Sequence, residues 1–125
     1  MIVGIDIGLK RIGVAVALSN TLVVPSEPIL RKNRNQAASD TLKMLKEKGA
    51  KTLVVGLPKG GSCEEEMERR IKHFVGLIGF DGDIIYQDEA FSSSEASEIF
   101  SDSRDGRFDS VAAMIILKRY LKISL

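Results

Sequence analysis

The sequence predicts an α/β fold: a five-stranded mixed sheet, with an antiparallel meander of three strands joined to two parallel strands and flanked by helices. Three observations carry this expectation. Residues 1–18 alternate bulky and small side chains around a short turn, the pattern of a β-hairpin. Residues 52–57 (TLVVGL) form a continuous apolar run, as expected of a strand buried on both faces of a parallel sheet. Helical spacing of apolar residues over 35–48 and 64–78 alternates with the later strands, which makes βαβ units.

The hairpin is the stretch around which the chain is organised. Val3, Ile5 and Ile7 share one face of its first strand by the period of two, so Gly4, Asp6 and Gly8 share the other. After a turn at Leu9 and Lys10, the second strand (11–18) sets Ile12, Val14, Val16 and Leu18 against Gly13, Ala15 and Ala17. Asp6 is the anomaly, a carboxylate in a strand otherwise built for burial. Its same-face neighbours lack side chains, which leaves room for a bulky ligand, a metal with its phosphate, or another backbone. Alternatively, the small face lets a helix pack tightly and Asp6 only accepts hydrogen bonds near a turn. Either way, burying a carboxylate costs several kcal/mol unless it is partnered, and within the hairpin only Lys10 and Arg11 offer a positive charge.

A third short strand is expected over 21–24, stopped by Pro25, with 25–33 (PSEPILRKN) as a connecting loop. In the helix over 35–48, Ala38, Leu42 and Leu45 form the apolar stripe and Gly49 closes it. The buried strand 52–57 runs into Pro58-Lys59-Gly60-Gly61. The helix over 64–78 places Met67, Ile71, Phe74, Val75 and Ile78 on one side. Its opening run of Glu64, Glu65, Glu66 and Glu68 suits the positive end of a helix dipole. His73 is the sole histidine and has no second histidine or cysteine at ligand spacing, so a surface or boundary position is expected for it. A fifth strand, 83–87, leads into Asp88-Glu89. Ser92 to Glu95 forms a capping box for a third helix to about 101, and a last helix covers 108–122.

With 125 residues, 44% hydrophobic and 28% charged, the chain is expected to be one globular domain spanning 1–125. The absence of any apolar run of membrane-spanning length argues against a membrane partner. The lone Cys63 has no internal disulfide partner, which fits a reducing compartment, and a cytoplasmic location is expected. The formal charge of +1 conceals segments of +6 (1–59), −8 (60–103) and +3 (104–125), so a polyanion would be held by local patches rather than by an overall field.

Open α/β sheets place ligands at the carboxyl ends of their parallel strands. Asp6, Lys59 and Asp88-Glu89 all belong to that rim. Asp109 opens the last helix, either as a simple cap or as a further acid of the same site. Clustered carboxylates without histidine or cysteine suit hard cations, Mg²⁺ or Mn²⁺. Two such ions roughly 3.5–4 Å apart could activate a water and stabilise the leaving oxygen of an in-line phosphodiester displacement. Lys10, Arg11, Lys59, Arg104 and Arg107 would position phosphates around the rim.

Four ordered stretches, GIDIGLKRIGVAV (4–16), VVGLPKGGS (54–62), YQDEAFSSSEA (86–96) and FDSVAAMIIL (108–117), resemble the successive motifs of the YqgF/RuvX family. The resemblance covers essentially the whole chain. It implies a ribonuclease H-like fold and metal-dependent endonuclease activity in maturing the 5′ end of the pre-16S rRNA, and, in a related proposal, Holliday junction resolution. By position, the family's acidic triad falls on Asp6, Glu89 and Asp109 as catalytic and metal-holding residues. The implied partners are structured RNA (an rRNA precursor), branched DNA or the ribosome, for a monomer or homodimer. The chain departs from the family pattern at Ala90 to Ser93, where Arg-Leu-Thr-Thr is usual, and in a shorter loop after Pro58.

Two rival readings accompany this one. The hairpin also resembles the phosphate-binding hairpin of actin-like ATPases and sugar kinases, which need a second lobe that 125 residues do not supply. A catalytically silent RNA- or ribosome-binding module is the other.

Overall fold

A computed structural model describes residues 1–8, 10–57, 64–88 and 107–122. Strands β1 (Ile2–Ile7), β2 (Arg11–Ala17), β3 (Val23–Leu30), β4 (Thr52–Leu57) and β5 (Asp83–Asp88) form one sheet in the order β3-β2-β1-β4-β5. The pairs β1/β2 and β2/β3 are antiparallel, while β1/β4 and β4/β5 are parallel, as the meander-plus-βαβ reading requires. The helices are α1 (Arg34–Glu47), α2 (Glu64–Ile78) and α3 (Arg107–Leu121). The helix expected over 92–101 lies outside the described residues.

The two faces of the hairpin sort the helices. Val3, Ile5, Ile12, Val14 and Val16 project to one side, where α1 brings Ala37, Ala38 and Leu45 and α2 brings Ile71, Phe74, Val75 and Ile78. The small side chains Ala15 and Ala17 project to the other, against Ala113, Ile116 and Leu117 of α3. β4 serves both cores, with Leu53, Val55 and Leu57 on the α1/α2 side and Val54 on the α3 side. This explains its unbroken apolar run: a strand covered on both faces has no solvent side to make polar.

Local signals set the helix ends. Asn33 caps α1, its side chain accepting from the Gln36 N–H while the Gln36 side chain bonds back to the cap residue. Gly49, at φ 64°, takes the left-handed conformation just beyond the helix. On α2, Glu66 and Glu68 pair with Arg70 and Lys72 one turn on, at 2.7 and 3.4 Å. These exposed pairs contribute little to stability.

One expectation fails. β3 does not stop at Pro25 but continues through Pro25 and Pro28 to Leu30, so most of the expected loop is strand. β3 is the outer strand of the order, and an edge strand tolerates proline because the N–H groups on its open side have no ladder partner. Its register with β2 also slips. Ile12 faces Ile29 and Val14 faces Ser26, so three steps on β3 span two on β2, an irregularity that accommodates one extra residue.

Candidate functional site

Asp6 sits half-buried near the carboxyl end of β1, which is bonded to β2 on one side and β4 on the other. Its register partner is Gly13. Gly4, two residues earlier on the same face, pairs with Ala15, which belongs to the α3-side core. Asp6 therefore shares the face over which α3 lies. At the same edge, Ile5 is level with Val55 and Val55 with Tyr86, so Asp6, one residue before the end of β1, lies at the same rim as Leu57 and Asp88, which end β4 and β5.

The glycines beside Asp6 serve packing and turn geometry. A Cβ on Gly4 would stand 2.5 Å from Leu117 Cγ, so the empty position is already filled by a helix side chain. A Cβ on Gly8 would meet the Arg11 carbonyl at 2.7 Å, and the Gly8 N–H donates to that same oxygen at 3.0 Å. Of the two explanations for the small face, tight helix packing holds at Gly4 and close backbone approach at Gly8.

Sequence reasoning missed two residues that position this region. Ser110, 1% exposed, donates from its hydroxyl to the Ser26 carbonyl at 2.5 Å and accepts a long 3.5 Å bond from the Val14 N–H. Both are backbone groups beside the β2/β3 register slip. The first turn of α3 is thereby fastened next to Gly13, the partner of Asp6, and residue 109 precedes the fastening point by one. No local pattern announces this role, because the partners lie 84 and 96 positions away.

Arg31 is the other. Its Nη1 donates to the Gly8 carbonyl at 2.8 Å, its N–H donates to the Lys10 carbonyl at 2.9 Å, and its guanidinium lies 5.1 Å from the centroid of the Phe74 ring. It ties the turn after Asp6 to α2. The signal in the sequence was the basic end of a segment read as loop.

Ser110→Ala is expected to leave the Ser26 carbonyl and the Val14 N–H unserved, at a cost of about 1–3 kcal/mol. Chemical denaturation would check it; an unchanged midpoint would mean that the hydroxyl does not hold the helix.

The other nominated residues divide as follows. Lys10 and Arg11 are exposed at the hairpin turn. Arg107 and Asp109 lie in the first turn of α3, and their side chains are outside the described residues, as are Lys59, Glu89 and Arg104 entirely. Among the described residues no three metal-ligating side chains gather, two of the three nominated acids being beyond that description. Asp6 suits a hard cation, since a half-buried carboxylate at a strand end is an oxygen ligand. His73 is exposed on α2 and lies on the other side of the sheet from α3, as expected of a surface residue. Tyr86, also on the α1/α2 side, has its phenol pushed above its ordinary pKa by burial, and Lys72 Nζ lies 5.3 Å from its ring centroid. No helix among the described residues is long and apolar enough to cross a membrane.

Comparison with known proteins adds a family and a fold. A model of the RuvX family, described as Holliday junction resolvase, matches residues 1–123. A protein of Sulfurovum sp. (strain NBC37-1) named "Putative pre-16S rRNA nuclease" is 55% identical over 123 residues, covering 95% of this chain and 96% of that protein. Among solved structures, the fowlpox virus Holliday junction resolvase superposes with a TM-score of 0.55 at 14% identity, covering 97% of each chain. Thermus thermophilus RuvC in complex with a Holliday junction substrate gives 0.55 at 13% identity, over 97% of this chain and 93% of that one. At such identities the likeness concerns the fold alone, which is the ribonuclease H-like architecture.

Proposed function

The chain belongs to the RuvX family, and from that premise we propose that it is a metal-dependent endonuclease hydrolysing phosphodiester bonds in structured RNA. In this reading it trims the 5′ end of the pre-16S rRNA in the cytoplasm, with residues 1–125 as one catalytic domain. The observation that carries it is the placement of Asp6: half-buried near the end of a central strand, on the face covered by α3, whose first turn contains Asp109. The name carried by the 55% identical relative supports the substrate.

Asp6, Glu89 and Asp109 are the residues that would hold Mg²⁺ or Mn²⁺. The bound ion supplies Lewis acidity for phosphodiester hydrolysis. Asp6 contributes negative charge from a strand that is paired with β2 at Asp6 itself and with β4 up to Ile5. Ser110 fastens the start of α3 to β2 and β3, and so fixes the backbone of Asp109. Lys10 and Arg11, exposed at the turn that follows Asp6, hold phosphates near the scissile bond. Glu89 is next in the sequence after Asp88, the last residue of β5.

A second reading, cleavage of branched DNA, is favoured by the description of the matching family. Incubating the full chain with a pre-16S rRNA fragment and, separately, a four-way DNA junction in Mg²⁺ or Mn²⁺ separates the two. Cleavage of the RNA at a defined position is expected. Cleavage of the junction alone would favour the second reading, and binding without cleavage of either would leave a binding module.

A further inference from the structure

On the face of the sheet away from α3, a groove of about 740 Å³ opens between the end of β1, the start of α1 and α2. Ile7 and Gly8, the two residues directly after Asp6, form its near end. The groove is thus continuous with the rim that carries Asp6, although it lies on the opposite side of the sheet. Its volume falls within the range of about 300–1,000 Å³ typical of ligand sites. That accommodates part of an extended strand.

Its charge is one-sided. Arg31 and Arg34 stand on one wall and Arg69 and Arg70 on the other, against a single lining carboxylate, Glu66. Arg70 holds Glu66 at 2.7 Å. Arg34 and Arg69 are exposed and have no carboxylate partner among the described residues. Arg31 is immobilised by the Gly8 carbonyl and the Phe74 ring, which presents a guanidinium plane of the kind on which nucleobases stack. Guanidinium groups gathered without matching acids repel one another, and a line of phosphates relieves that repulsion through forked hydrogen bonds.

We propose that this groove binds a single-stranded RNA segment flanking the scissile bond, with Arg34 and Arg69 contacting its phosphates from opposite walls. The identity of the strand rests on the nuclease reading above; the basic groove does not. The substrate would pass over the rim at Ile7 and Gly8, with its scissile phosphate on the Asp6 side and its flank in the groove. A single-stranded flank on that side is then a requirement for tight binding.

The test is binding of a short fluorescent single-stranded RNA to the full chain in metal-free buffer, followed by anisotropy across a salt series. The Arg34→Glu/Arg69→Glu double variant is expected to bind at least tenfold more weakly. Its log–log salt slope should fall by about 0.7 for each phosphate that is no longer neutralised. Arg34→Lys/Arg69→Lys, which keeps the charge, should recover most of the affinity, and thiouridine placed in the RNA should crosslink to α1 and α2. Arg31 is left intact because it also holds the turn beside Asp6.

Unchanged affinity and slope in the double Glu variant would overturn the proposal, as would equal competition by a fully paired RNA duplex or complete displacement by a mononucleotide. None of these readouts requires cleavage. If the groove variants lose binding while cleavage survives Asp6→Asn, the nuclease assignment of Asp6 fails and the groove stands; the converse result removes the groove alone.

Discussion

Asp6→Asn is expected to abolish most metal-dependent cleavage while the protein remains folded and still binds RNA. The substitution keeps the size of the side chain and removes one negative charge from the proposed cation site. Losing about 3–4 kcal/mol of transition-state stabilisation from a weakened metal site corresponds to a rate two to three orders of magnitude lower, roughly. A second readout separates a chemical role from a structural one. Wild-type protein should gain thermal stability when Mn²⁺ is added, by about 2.7 kcal/mol at a hundred times the dissociation constant. Asp6→Asn should lose most of that gain while keeping the metal-free Tm. Undiminished cleavage in the variant, or an equal Mn²⁺ effect on both proteins, would remove Asp6 from the site.

Gly4→Ala should have the largest effect on stability per atom added. The new methyl group would arrive 2.5 Å from Leu117 Cγ and 3.0 Å from Cδ2. Leu117 is fully buried and packed among Ala15, Ala17, Val54 and Ala113, so it has nowhere to turn, and the strain passes to α3 as a whole. Overpacking of this kind costs about 1–3 kcal/mol. For a chain of this length each kcal/mol lowers Tm by roughly 3–5 °C. Because α3 also carries Asp109 and Ser110, cleavage should fall further than the loss of folded protein explains.

A double-mutant cycle isolates the Gly4–Leu117 packing. Leu117→Ala alone should cost about 2–5 kcal/mol as a cavity. Gly4→Ala/Leu117→Ala should cost less than the two single effects together by about 1 kcal/mol or more, since the clash is then gone. Strict additivity would show that the missing side chain at position 4 serves something other than α3.

Much of this architecture is legible in the chain itself. The boundaries of β4 and α2 agree with those read from apolar periodicity, and the start of α1 agrees to within one residue. The division of the hairpin into a bulky and a small face predicts two differently packed layers, and these are the α1/α2 side and the α3 side. The rule that ligand sites gather at the carboxyl ends of parallel strands assigns Asp6 and Asp88 to one rim, and the strand register sets both at that edge.

Other features depend on which strand finishes next to which. Pro25 reads locally as a stop, and only the outer position of β3 makes it compatible with strand. Ser110 beside Asp109 looks like any first-turn serine until the β2/β3 slip gives its hydroxyl a carbonyl and an N–H to serve. The basic groove joins arginines just past the end of β3 and at the start of α1 to others more than thirty residues later on α2.

The sequence by itself determined most of the described elements, their apolar faces and the nomination of Asp6, because periodicity, capping and a lone carboxylate among glycines act within a few residues of one another. Tertiary structure alone decided the strand order, the purpose of Gly4, the anchoring of α3 and the gathering of the groove arginines. Each of these joins residues distant along the chain, and its free energy exists only once the sheet has brought them together.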